Sequence, residues 1–176
     1  MAITELDVGG AERAFVRIAI GLKSLGWCVR VISLRNAGPL AEPLLQSGIS
    51  VVPLQCGGAA DLRAIRRMKH ALLNNPPSVL LTFLHQANIV GRLAAKGAGV
   101  RTVVCGVRVA DRRWSVRIPE WLTKWHVSQY VAVSRAVAKV HRDWCGIAPN
   151  RFETIYNGVD LGKIDAAVAV LRSKLR

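Results

Sequence analysis

Residues 78–107 read "SVLLTFLHQANIVGRLAAKGAGVRTVVCGV", and this stretch decides the fold. The first seven residues are a near-continuous apolar run of strand length, the pattern of a strand covered on both faces. The last seven, "RTVVCGV", are short and rich in β-branched residues, which predicts a second strand. The segment between them is dominated by small residues from about Asn88 to Lys96, a helix able to pack closely on a sheet. Strand, helix and strand in this order make a parallel crossover unit.

The same alternation extends in both directions. Ala11, Ala14, Phe15, Ile18, Ala19, Leu22 and Leu25 recur at three- and four-residue steps, an amphipathic helix ended by Gly26. "CVRVISL" (28–34) and "ISVVPL" (49–54) are strands, with Pro53 marking an edge strand or a strand end in the second. A short helix over 39–48 lies between them, and Asp61 caps another that Pro76-Pro77 terminates. Beyond residue 107, Trp114 to His126 is helical, "QYVAVS" is a strand, "RAVAKVHRDWCG" a helix and "FETIYNG" a final strand. Asp160 caps a last helix. The expected fold is α/β, a Rossmann-like three-layer α/β/α with a mainly parallel sheet. Its first strand should be central, yet Ala2-Ile3-Thr4 alone precede the first turn: either that strand is a stub or it has residues upstream.

With 176 residues the chain suits one domain, or one half of a two-domain protein. A hydrophobic fraction of 51% supports a packed core and argues against disorder. No apolar run reaches the about 18 residues that span a bilayer, and "MAITELDVGG" lacks the order of a signal peptide, so the expected location is cytoplasmic. Cys28, Cys56, Cys105 and Cys145 contain no CxxC pair, which favours buried free thiols over a metal site. The 25 basic residues against 11 acidic ones give a net charge of +14. Such a balance fits an anionic surface or substrate, or a solvated exterior offset by an acidic partner.

Ligands of an open parallel sheet sit beyond the carboxyl ends of its strands. There the chain offers Asp7 to Gly10, Arg35 to Gly38, Gln55 to Gly58, His85-Gln86, Arg108 to Arg113, Ser134-Arg135 and Asn157-Gly158. The turn "GGAERA" lacks the GxGxxG spacing of a dinucleotide fingerprint. Its glycines can still present backbone N–H groups to an anion at a helix N-terminus, or serve turn geometry alone. His85 follows its strand where a sugar or substrate hydroxyl would be held, though a lone histidine is more often structural or solvent-exposed. Arg108 stands in the same relation to the next strand and offers a fork to phosphate or carboxylate. "RVADRRWSVRIPEWLTKW" interleaves Arg108, Arg112, Arg113, Arg117 and Lys124 with Trp114, Trp121 and Trp125. That pattern suits a membrane interface or stacked single-stranded nucleic acid. The competing reading, favoured for Trp121 and Trp125, is a core helix with tryptophans on the sheet and a solvated basic face.

Three stretches carry a resemblance. "ITELDVGGAER", "FLHQANIVGRLAAKGAGV" and "VAVSRAVAKVHRDWCGIAPNRFETIYNGVD" are similar to the N-terminal half of a family-four glycosyltransferase. The resemblance implies the GT-B architecture, with residues 1–160 as the Rossmann-like N-terminal domain and 161–176 as a linker helix toward a C-terminal domain. It implies a retaining, metal-independent transfer of sugar from a nucleotide-sugar to a glycan or lipid-linked acceptor in polysaccharide biosynthesis, with no cofactor beyond that donor. Gly9 and Gly10 would lie near the donor diphosphate, and His85 and Arg108 would be the catalytic pair. Glu12, Arg13, Arg112, Ser134 and Arg135 would line the acceptor side. Many relatives carry histidine where Arg108 stands. The implied partners are the missing C-terminal domain and an anionic membrane, reached peripherally from the cytoplasmic face, with no nucleic acid. A fragment lacking the C-terminal domain would be inactive. The other readings are a non-catalytic basic module for nucleic acid or anionic membrane, and a dehydrogenase in which Arg35 meets a 2′-phosphate.

Overall fold

Seven strands pair in parallel, in the order β3-β2-β1-β4-β5-β6-β7, in a computed structural model that describes residues 1–57 and 61–158. They are β1 (Ala2–Ile3), β2 (Arg30–Ser33), β3 (Ser50–Pro53), β4 (Val79–Phe83), β5 (Thr102–Val107), β6 (Gln129–Ala132) and β7 (Phe152–Thr154). The helices are α1 (Gly10–Ser24), α2 (Ala41–Gln46), α3 (Arg63–Asn74), α4 (His85–Ala98), α5 (Trp114–Thr123) and α6 (Arg135–Cys145). This is the expected Rossmann-like α/β fold, and Pro53 does lie on an edge strand. The helix expected after Asp160, and the linker over 161–176, fall outside the described residues.

Alternate residues of β1 to β4 feed two cores. Ile3 and Val31 join Phe15, Val16 and Ala19 of α1 and Leu44 of α2 on one face. Ala2, Ile32, Leu80, Val103, Cys105 and Tyr130 join α3, α4 and α6 on the other. Right-handed crossovers require this division, because the chain runs outward from β1 to β3 and then reverses through β4 to β7. β1 is only two residues long, yet it is an interior strand next to the central β4, paired to β2 and β4 at once.

Two expectations need correction. Cys28 is exposed while Cys56, Cys105 and Cys145 are buried. The reason is that β2 starts only at Arg30, leaving Gly26 to Val29 in the connection. Trp121 and Trp125 are likewise exposed and not core. The helix expected from Trp114 is present, but the side it buries carries Val116, Glu120 and Thr123.

What turns α5 that way is a buried charge. Arg92 of α4 and Glu120 of α5 form an ion pair at 2.8 Å, with side chains 0% and 1% exposed; its angle falls short of a hydrogen bond. The same guanidinium donates to the Thr123 hydroxyl (3.1 Å) and to Cys105 Sγ (3.2 Å), and lies over the Tyr130 ring. A charge removed from water this completely has to be compensated in place. Glu120→Ala leaves the guanidinium buried without its anion and is expected to cost about 3 kcal/mol or more in urea unfolding. The joint replacement Arg92→Met with Glu120→Leu should cost less than that single change.

Candidate functional site

Phe83 and Gly106 are register partners at the carboxyl ends of β4 and β5, so the segments carrying His85 and Arg108 leave the sheet side by side. A Cβ on Gly106 would stand 2.8 Å from the Phe83 ring, so glycine is what lets that ring lie flat on β5. The Arg108 guanidinium then stacks over the same ring at 4.6 Å. Its Nη1 donates to Asn157 Oδ1 at 2.8 Å, while Nε and Nη2 are buried with no hydrogen-bond partner. Burial lowers its pKa without threatening its charge. The result is a half-buried cation, stacked and hydrogen-bonded in place, at the rim of the sheet.

His85 is reached through a strained residue. Leu84 has φ 71° and ψ 150°, a region that side chains rarely enter, and it makes the connection from β4 to α4 in one step. The helix therefore starts at His85, three residues earlier than the small-residue pattern indicates. The imidazole is half-buried, and burial is the main cause that pushes its pKa below the ordinary value. Glu120 and Asp111 pull it upward, and Arg92 and His141 add to the depression. The Arg113 guanidinium and backbone N–H hold the Asp111 carboxyl at about 2. His141 of α6 meets the Val109 carbonyl through Nε2 at 3.1 Å, bracing the segment from Arg108 to Arg113 from beneath. Nothing in the spacing of the sequence announces His141, Leu84 or Glu120 as part of this site.

The first turn forms the neighbouring edge. Gly9 caps α1 in an extended conformation with no side-chain cap, and Gly10 is the first helical residue. The Glu12 carboxylate folds back over Gly9, as suits an anion at a helix N-terminus. A phosphate approaching these N–H groups would meet that carboxylate. Gly38 admits the turn: its Cβ would stand 2.5 Å from the Leu6 carbonyl, and Leu40 N donates to that same oxygen. Arg17 of α1 reaches the Gly158 carbonyl at 3.1 Å, tying α1 to the end of the described chain.

The remaining candidates are placed as follows. Ser134 caps α6, its hydroxyl accepting from Val137 N at 3.2 Å, and Arg135 is exposed at the start of that helix. Arg112 and Arg13 are exposed. Arg35, which a 2′-phosphate would need, is paired with Glu5. Thus Arg108 is bonded to Asn157, and His85 lies within electrostatic reach of Asp111 on the neighbouring strand end, whereas among the described residues no hydrogen bond or ion pair joins Arg13 or Arg135 to them.

Residues 8–163 match Glycosyltransferase Family 4. Among solved structures, the Anabaena protein Alr3699/HepE in complex with UDP-glucose is similar at 19% identity and a TM-score of 0.74, covering 99% of this chain and 48% of that one. A glycosyltransferase from Rickettsia africae follows at 18% identity and 0.73, covering 94% and 45%. The lipopolysaccharide outer core galactosyltransferase WaaB, in its apo form, is similar at 12% and 0.67, covering 91% and 46%. The chain spans about half the length of these proteins. No curated protein matches it in sequence.

The environment of His85 has a measurable signature. Its NMR titration midpoint should fall below the ordinary histidine value near 6.5, and Asp111→Asn should lower it further. The folded form takes up this proton less readily than the unfolded chain. The group is therefore without effect on stability above about pH 6.5, and stability declines as the pH falls below it.

Proposed function

Because the chain belongs to Glycosyltransferase Family 4, we propose that it is the N-terminal, acceptor-binding half of a retaining, metal-independent glycosyltransferase. The donor is a nucleotide-sugar. The acceptor is a hydroxyl on a glycan or lipid-linked glycan in polysaccharide biosynthesis, met at the cytoplasmic face of the membrane. Support for the donor comes from Alr3699/HepE, solved in complex with UDP and with UDP-glucose. The observation that carries the reading is the pairing of His85 and Arg108 on adjacent strand ends, one a half-buried imidazole and the other a cation with unused donors.

Each group has a task in that chemistry. Departure of a nucleoside diphosphate builds negative charge on its leaving oxygen, and a fixed guanidinium is a stabiliser of such charge. Arg108 is held for this by Phe83 below and Asn157 beside it. His85, neutral near pH 7 through its burial, can hydrogen-bond a sugar hydroxyl without adding a second positive charge. The N–H groups at Gly9 and Gly10 face the diphosphate once the Glu12 carboxylate swings aside. The second GT-B half supplies the nucleotide contacts, so this chain by itself is inactive.

In an enzyme carrying both halves, Arg108→Ala should lower kcat by roughly 100-fold, the scale of losing one preorganised donor. His85→Ala should lower it comparably, with thermal unfolding little changed in both. Unaltered turnover in the two variants would move the reacting centre elsewhere. Saturable binding of NADPH to this chain would restore the dehydrogenase reading.

A further inference from the structure

Helix α5 is amphipathic in the inverted sense. It buries Val116, Glu120 and Thr123 and exposes Trp114, Ile118, Trp121 and Leu122. Trp125, in the 3₁₀ turn Lys124–His126 that continues the helix, is 73% exposed. Positions 114, 118, 121, 122 and 125 follow helical spacing, so these side chains form one contiguous apolar face. A face of three tryptophans, an isoleucine and a leucine is far from the scattered apolar residues of an ordinary surface. Trp114 meets Trp144 edge-on at 5.4 Å and Lys124 lies near the Trp121 and Trp125 rings, yet all five side chains stay more than half exposed among the described residues. The helix cannot turn this face inward, because Glu120 is committed to Arg92.

The charge around this face has one sign. Arg112 and Arg113 are exposed at one end, and Lys96 and Arg101 are exposed beside Trp125 at the other. Arg117 lies over both the Trp114 and Trp144 rings, at 4.5 and 4.8 Å. The two carboxylates of the segment are both neutralised, Asp111 by Arg113 and Glu120 by Arg92. Tryptophans flanked by cations, with no free anion among them, match the headgroup zone of an anionic bilayer, where indoles settle and Lys or Arg meets phosphate.

We propose that the face formed by α5 and the turn after it docks this domain on an anionic phospholipid surface. The inference rests on the reading above of an acceptor met at the membrane, and deepens it. Because α5 follows directly on the segment from Arg108 to Arg113, docking brings the His85 and Arg108 rim to the headgroups, where a lipid-linked acceptor carries its sugar.

Co-sedimentation of the 176-residue chain with vesicles tests it. Binding is expected to vesicles containing phosphatidylglycerol and not to pure phosphatidylcholine, with a blue shift of tryptophan emission. Lys96→Gln with Arg101→Gln should weaken binding by roughly fivefold per cation removed, the scale of about 1 kcal/mol each. Trp121→Ala with Trp125→Ala should abolish the blue shift and most of the binding. Trp27→Ala, an exposed tryptophan outside this face, should change neither. Equal binding to both vesicle types would overturn the proposal. So would the absence of vesicle binding, or a concentration-dependent dimer lost in the Trp121 and Trp125 variant, which would assign the face to a second copy. In the enzyme with both halves, that variant should retain transfer to a water-soluble acceptor and lose it toward an acceptor embedded in vesicles. Vesicle binding without any sugar transfer would overturn the transferase reading and leave the docking face standing.

Discussion

Arg92 and Glu120 neutralise one another where no water reaches, and α5 sits as that pair dictates. Attraction between such charges is strong because the surroundings are apolar, and for the same reason either charge alone is intolerable there. Arg92 spends its other nitrogens on Thr123 and Cys105 and lends its charge to the Tyr130 ring. One guanidinium thereby joins α4, α5, β5 and β6. It fixes the rotation of α5 about its own axis, and that rotation decides which side chains the helix shows to the outside.

The parallel sheet does the rest of the positioning. All its strands point the same way, so every connection that follows a strand opens on one rim. On that rim Phe83 supports Arg108, and Gly106 makes room for Phe83. His141 braces the Arg108 to Arg113 segment from α6. The candidate groups are held by stacking, hydrogen bonding and close approach from several elements, a condition for preorganised charge stabilisation.

The alternation of strands and helices was legible because period and length distinguish them, and "SVLLTFL" could hardly be anything but a buried strand. His85 and Arg108 were legible through one topological rule, that ligands gather past the carboxyl ends of strands. The interleaving of Trp114, Trp121 and Trp125 with basic residues was also legible, but it carries no information about which way the tryptophans face. Apolar residues normally face inward, and here a tertiary ion pair overrides that preference. Glu120 reads like any helical carboxylate until Arg92 is seen beneath it. Leu84 is invisible for a similar reason: leucine has no tendency toward positive φ, and only the geometry of two packed elements forces it there. Cys28 misleads because local composition cannot say at which residue pairing begins.

The one-residue connection at Leu84 also bears on motion. A hinge needs several residues whose torsions can share a change, and between β4 and α4 there is a single residue already at an extreme. The backbone at His85 therefore travels with the sheet as one rigid piece. In the longer segment from Arg108 to Arg113, Arg108 is held by Phe83 and Asn157 and the Val109 carbonyl by His141, while the Arg112 side chain lies exposed. Within one rim the fold thus provides fixed reference points and an exposed cationic arm beside them.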